Sequence, residues 1–382
     1  MKLMQARYIQ KNVLQDVQNK LVFIGGPRQV GKTTFALHLL GIQKGQEHPG
    51  YLNWDFDHHR NKIIRQEISK ASPLIVFDEI HKYVRWRRLM KGFFDIYYPK
   101  QTAIVTGSAR LDYYRKGGDS LQGRYHYYRL HPYSLMELSK NPGKAELEAL
   151  LKFSGFPEPL FKTSETEWRR WQRERISRVI QTDLRDLEKV SEISQLEILM
   201  EALPSKVGSP LSLQSLREDL EVSHDSIRRW IKIFENLYVC FRISPFGSPK
   251  IRAVKKEQKL YFWDWTQVED LSIRFENMVA CQLLKFCHFK EDTEGYAMEL
   301  RYLRDTDRRE IDFVVMQDKK PLFAVECKTG EKNISKPALY FKERTLIPKF
   351  YQVHLGEKDF GNEEKSVRVL PFTTFVKELK LP

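Results

Sequence analysis

The run Gly26-Pro27-Arg28-Gln29-Val30-Gly31-Lys32-Thr33 constrains this chain more than any other stretch. Two glycines separated by four residues, then Lys-Thr, follow an apolar run at 21–24 and precede a helix-length segment that opens at Thr34. This is P-loop spacing in the strand, loop, helix context that the motif requires. The glycines let the backbone curl so that successive N–H groups face one anion, and the helix adds the positive end of its dipole. Residues from Gly26 through Thr34 are therefore expected to cradle the phosphates of ATP. Lys32 should reach the β- and γ-phosphates, and the Thr33 hydroxyl should face Mg²⁺.

A second half-site follows at the expected kind of place. The apolar run 74–77 ends in Asp78-Glu79. An acidic strand tip beside a P-loop puts Asp78 where it can hold Mg²⁺ and Glu79 where it can polarise the attacking water. The run 103–105 ends in Thr106-Gly107-Ser108, which offers a hydroxyl to sense the γ-phosphate, from Thr106 or from Ser108. Arg124, after that strand, is a candidate to neutralise transition-state charge in its own or a neighbouring subunit.

Four short apolar runs (21–24, 51–54, 74–77, 103–105) alternate with helix-length segments, which predicts an α/β layer with a parallel sheet over residues 1–140. Pro142 and Gly143 break the pattern, and a helical connector is expected over 141–194. Over 195–250 the periodicity is helical. Leu213, Leu216 and Leu220 form one stripe; Ile227, Trp230, Ile231, Phe234 and Leu237 form another, capped by Ser223, with Arg228, Arg229, Lys232 and Glu235 on the free face. Two tightly joined helices with a basic second member predict a helix-turn-helix, and the apolar stretch 238–243 suits a wing strand. Residues 251–382 return to strand-like runs at 260–263, 311–315, 322–325 and 350–354, with a helix at 275–286, a second α/β unit.

At 382 residues the chain is long enough for two to four cores. The formal charge of +14 favours a polyanionic partner, DNA above all. No apolar run approaches the roughly 20 residues of a membrane helix, and residues 1–14 lack the pattern of a secretory signal. A cytoplasmic protein is expected. Cys240, Cys281, Cys287 and Cys327 have no paired spacing and read as buried free thiols.

These residues together resemble the prokaryotic archaeal-type ATPases of the AAA superfamily, along nearly the whole chain. Besides the P-loop, the resemblance rests on Asp78-Glu79-Ile80-His81, Thr106-Gly107-Ser108, Gly123-Arg124, Leu130-His131-Pro132-Tyr133-Ser134 through Glu137, Gly155-Phe156-Pro157, Lys259-Leu260-Tyr261-Phe262, Phe275-Glu276-Asn277 and Glu310-Ile311-Asp312-Phe313. It implies an ATPase domain, then a winged helix, then a domain similar to restriction endonucleases. Ser154 stands where a second glycine is usual, and Asp264-Trp265-Thr266 lacks the glycine often found after the Lys-Leu-Tyr-Phe strand.

In the C-terminal part, Asp312 on one strand and Glu326-Cys327-Lys328 on the next match a nuclease-like pattern. Strand alternation puts Glu326 and Lys328 on one face. Asp312 and Glu326 are candidate ligands of a second divalent metal, with Glu276 as a third acid and Lys328 to position water. Three functions compete: an ATPase coupled to DNA through the winged helix, an ATP-gated metal-dependent nuclease, and a nucleotide-dependent protein-interaction switch that binds no DNA. Self-association is compatible with each.

Overall fold

A computed structural model of the chain describes residues 6–43, 47–107, 121–179, 193–247, 257–360 and 367–382. The chain divides into two compact units, residues 1–132 and 133–382.

The first unit opens with a short helix α1 (Gln10–Asp16), then β1 (Leu21–Gly25), α2 (Lys32–Leu39), β2 (Tyr51–Asn53), α3 (Asp57–Arg65), β3 (Leu74–Asp78), α4 (Trp86–Tyr97), β4 (Thr102–Thr106) and β5 (Tyr125–Arg129). The strands lie in the order β2-β3-β4-β1-β5, and every neighbouring pair is parallel. Parallel strands covered on both faces carry continuous apolar sequence, and all five residues of Leu-Val-Phe-Ile-Gly in β1 are buried. A helix instead buries one stripe. In α4, Trp86, Met90 and Phe93 recur at i, i+4, i+7 and pack with Phe23, Ile63, Ile75, Phe77 and Val105 in one core. Each such side chain contributes about 1.5–3 kcal/mol of burial. The four expected strands are present. β5 is additional: Tyr-His-Tyr-Tyr-Arg carries no aliphatic run, yet it pairs with β1 along its whole length.

The second unit begins with α5 (Leu135–Leu138), whose Ser134 and Glu137 form a capping box. Next come α6 (Lys144–Phe153), α7 (Pro157–Lys162) and α8 (Glu165–Arg178). Ser154, where a glycine is usual in the resembling proteins, has φ +70° and is fully buried. The turn before Gly155 demands a left-handed backbone that a side chain strains, which accounts for the glycine elsewhere.

Helices α9 (Ile193–Ala202), α10 (Leu213–Leu220) and α11 (His224–Asn236) follow, with serine N-caps at Ser212 and Ser223. The expected stripe of α11 is buried from Ile227 to Leu237. Glu235 departs from expectation: it turns from the free face toward Arg242, which donates to it from Nε at 2.8 Å and Nη2 at 3.1 Å.

β6 (Cys240–Pro245), β7 (Lys259–Phe262), α12 (Leu271–Glu294), β8 (Met298–Arg304), β9 (Glu310–Gln317), β10 (Lys320–Lys328), α13 (Lys336–Arg344), β11 (Phe350–His354), β12 (Val367–Pro371) and α14 (Phe372–Glu378) complete the unit. Their sheet is mixed, in the order β12-β11-β10-β9-β8-β6-β7. The expected boundary at 250/251 lies between β6 and β7, which pair antiparallel, and the end of β6 pairs with β8. The stretch expected to form a wing thus belongs to the C-terminal sheet. All four cysteines are buried and free. No helix among the described residues is long and apolar enough to cross a membrane.

Candidate nucleotide site

The parallel register of the first sheet brings the ends of β1, β3 and β4 level: Asp78 is paired with Thr106, and Thr106 with Ile24. The loop after β1 closes over that edge. Gly26 has φ +134°, and a Cβ there would meet the Leu130 carbonyl oxygen at 2.3 Å, so only glycine fits. Gly31, at φ +95°, is the N-cap of α2. Arg7, buried, donates to the carbonyls of Val30 at 3.0 Å and of His131, which ties the loop to the chain beyond β5.

Asp78 is the hub. It is 1% exposed, and its Oδ2 accepts from Thr33 Oγ1 at 2.9 Å, Tyr51 Oη at 2.8 Å and Asn53 Nδ2 at 3.4 Å, while Oδ1 accepts from Thr106 Oγ1. Burial pushes the carboxyl above its ordinary range, and the Glu79 charge pushes the same way; the hydroxyls of Thr106, Tyr51 and Thr33 hold it down. Burial and the Asp78 charge together raise the Tyr51 phenol, so Tyr51 stays a donor. Thr33 and Asp78 are hard oxygen donors in contact, a pair suited to Mg²⁺ when phosphate oxygens and water complete the shell.

Lys32 is 8% exposed and donates to the carbonyls of Gly26 at 2.9 Å and Pro27 at 2.6 Å. Glu79 follows Asp78 with φ +55°, a left-handed conformation that turns the chain sharply off the strand. Its N–H donates to the Thr106 carbonyl at 3.1 Å, and its carboxylate lies 3.5 Å from Lys82 Nζ and 3.7 Å from His81 Nε2. Lys82 also holds Asp55 at 2.7 Å.

The geometry therefore brings together Lys32, Thr33, Asp78, Glu79 and Thr106, drawn from three separate segments. Ser108 lies outside the described residues. Arg124 is paired with Asp95 of α4, Nε to Oδ1 at 2.9 Å. Sequence reasoning passes over Tyr51, Asn53 and Arg7. The only signal for the first two is a pair of polar residues at the ends of a three-residue strand that finishes beside the loop.

Because Tyr51 is one of four donors to Asp78, its loss should misorient rather than abolish the site. Tyr51→Phe is expected to raise the Mg²⁺ concentration needed for half-maximal ATP turnover by about threefold to tenfold, the worth of one charge-assisted hydrogen bond. A magnesium titration of steady-state turnover checks this, and an unchanged midpoint would remove Tyr51 from the site.

The C-terminal carboxylates are arranged differently from expectation. Asp312 and Glu326 do lie on adjacent strands, and Lys328 Nζ is 2.7 Å from Glu326 Oε1. Asp312 Oδ2 accepts the Cys327 N–H at 2.7 Å, and the Ser335 hydroxyl donates to Glu326. Glu276, however, is occupied by Tyr261 Oη at 2.7 Å and by Lys259 Nζ at 3.4 Å. Lys259 is fully buried and also donates to Glu310. Burial pulls its ammonium down, but Glu276, Asp312 and Glu310 outweigh it and hold the group above its usual range. Asp312 is pushed well up, first by burial and then by Glu276. Among the described residues no three His, Cys, Asp or Glu side chains converge as a metal set. The third acid expected of Glu276 is thus engaged by a lysine, and the donors present do not fit a divalent metal held by three carboxylates.

Residues 18–139 match a family model described as an AAA domain, and residues 144–267 and 273–375 match two domains of unknown function, DUF8612 and DUF4143. A search of curated proteins returns no match. Among solved structures the chain is similar to the Walker-type ATPase PABY2304 of Pyrococcus abyssi, at 12% identity over 72% of this chain and 99% of that one, with a TM-score of 0.42. It is also similar to the ORC1 protein of Aeropyrum pernix in complex with DNA (12% identity, 73% and 94% covered, TM-score 0.33). A third is the RuvB Holliday junction branch migration motor of Thermotoga maritima (15% identity, 61% and 89% covered, TM-score 0.30).

Proposed function

We propose that this AAA-domain protein is a magnesium-dependent ATPase that couples nucleotide turnover to DNA held by its second unit. The observation that supports the nucleotide chemistry best is the contact between the Thr33 hydroxyl and Asp78, 45 residues apart in sequence and 2.9 Å apart in space. Bound with ATP, Mg²⁺ would neutralise charge between the phosphates. The chain's own part is to wrap the triphosphate in the loop of residues 26–34, whose N–H groups, all but that missing at Pro27, face the anion, to bring the Lys32 ammonium from the Gly26 and Pro27 carbonyls onto the phosphates, and to hold water against Glu79. Thr106, bonded to Asp78 at the end of β4, or Ser108 would report the γ-phosphate to that strand. Arg124, its Nε paired with Asp95, would neutralise transition-state charge in its own or a neighbouring subunit.

For DNA, Arg228 and Lys232 project from α11 with side chains 62% and 58% exposed, and each pairs loosely with a nearby acid: Asp225 at 3.4 Å and Glu235 at 3.2 Å. Phosphates compete well with the exposed Arg228–Asp225 pair, and Glu235, 15% exposed, is held by Arg242 as well as Lys232. Arg229 completes the basic face. The C-terminal unit, with Lys259 buried among its acids, is read as a nuclease-like domain that binds without cutting, in a cytoplasmic protein.

Two assays test this together. ATP turnover should change when duplex DNA is added, and DNA binding should weaken steeply with salt; negligible DNA affinity would favour the protein-interaction switch. Plasmid incubated with the protein, ATP and Mg²⁺ or Mn²⁺ should stay supercoiled. Nicking that disappears in Asp312→Ala would instead establish the gated nuclease.

A further inference from the structure

The segment after Glu79 is charged in one sense only. From residue 80 to residue 94 there is no acid, but there are Lys82, Arg85, Arg87, Arg88 and Lys91. In the fold this stretch runs into α4, whose apolar stripe Trp86, Met90 and Phe93 faces the core, so Arg88 and Lys91 fall on the opposite side and Arg85 caps the same face. All three are exposed, and none of their side chains has a hydrogen-bond or ion-pair partner among the described residues. Some exposed cations elsewhere are neutralised locally, Arg60 by Asp57, Lys162 by Glu158 and Glu167, Arg178 by Glu174 and Lys290 by Glu294, and others, Lys11 and Arg173 among them, are not; these three differ in sharing one helix face. Like charges on one helix face repel, and the one acid of the helix, Asp95, one turn beyond Lys91 on the same face, is already paired with Arg124, Nε to Oδ1 at 2.9 Å.

We propose that Arg85, Arg88 and Lys91 form a contact surface on the ATPase unit for the phosphate backbone of duplex DNA; this rests on the reading that the protein acts on DNA. The cations advance about 4.5 Å along the helix axis per step of three residues. A DNA strand presents one charge about every 3.4 Å, so three flexible side chains each find a phosphate without a precise register. Arginine also binds phosphate through two parallel N–H bonds. The surface contacts backbone and reads no base, so its contribution is the same on any sequence.

The test is fluorescence anisotropy of a labelled duplex at several salt concentrations, comparing the full chain with its triple variant Arg85→Ala/Arg88→Ala/Lys91→Ala. The slope of log K against log salt should fall in magnitude by about 2–3 in the variant, close to 0.9 for each phosphate that is no longer neutralised. Melting temperature and ATP turnover without DNA should be unchanged, because the three side chains touch neither the core nor the nucleotide site. A wild-type chain that binds the duplex while the variant keeps the same affinity and slope overturns this surface alone. Absence of any duplex binding by the wild type overturns both this surface and the reading beneath it. If polyglutamate at equal charge concentration displaces the duplex, the surface belongs to an acidic protein and the proposal fails.

Discussion

Lys32→Ala is expected to lower ATP turnover by about 10²–10³-fold, the usual consequence of deleting one fixed group that meets developing phosphate charge. The reason lies in where the ammonium sits. Lys32 leaves the first turn of α2, is 8% exposed, and is held by the carbonyls of Gly26 and Pro27 within the loop itself. Those carbonyls are neutral, so the charged oxygens of a triphosphate compete with them well. Removing the ammonium leaves two carbonyls one donor short, which costs about 1 kcal/mol and shifts the melting temperature by about 2–4 °C. A folded variant that retains turnover within about threefold of the parent, the limit of one weak hydrogen bond, would reject the assigned loop.

Glu79→Gln separates binding from chemistry. The amide keeps the shape of the side chain but cannot draw a proton from water, and loss of a positioned general base costs about 10²–10⁴-fold. ATP affinity should hold, since Thr33, Asp78 and Lys32 are untouched. Its ion pairs with Lys82 and His81, at 3.5 and 3.7 Å, are long, and the Glu79 side chain is 23% exposed, so stability should change by less than about 1 kcal/mol. Filter binding of labelled ATP beside a phosphate-release assay should find nucleotide retained and unhydrolysed. Equal loss of binding and turnover would make Glu79 structural, a part its left-handed backbone at φ +55° also suits.

The nucleotide site is the most legible part of the chain because its chemistry needs particular residue types at fixed spacing. Glycine at 26 has a steric cause in the Leu130 carbonyl, and an acid at 78 has an electrostatic one. Support from a distance leaves no such trace. Tyr51 and Asn53 reach Asp78 only because β2 lies beside β3, and Arg7 reaches the loop across the sheet edge. Strands follow the same rule. β1 and β3 stand out as apolar runs, whereas β5 and β8 mix buried and half-exposed residues, and their Tyr-His-Tyr-Tyr-Arg and Met-Glu-Leu-Arg-Tyr-Leu-Arg sequences hide the pattern among polar and charged side chains.

The C-terminal acids show what spacing along the chain leaves out. Asp312, Glu326 and Lys328 are as close as strand alternation predicts, but spacing along the chain carries no information about Lys259, which comes from another strand to engage Glu276 and Glu310. A buried cation among carboxylates changes what those carboxylates can hold. The hairpin of β6 and β7 teaches the same lesson for domains: the 250/251 position looks like a boundary from its basic, polar sequence, and strand pairing runs across it.

Isothermal titration of the intact chain with ATP in the presence of magnesium addresses the central claim most directly. Saturable heat corresponding to one nucleotide per chain, absent when Thr33 is replaced by valine and magnesium is limiting, is the predicted result. A properly folded chain that takes up no nucleotide at millimolar ATP would contradict the account at its root.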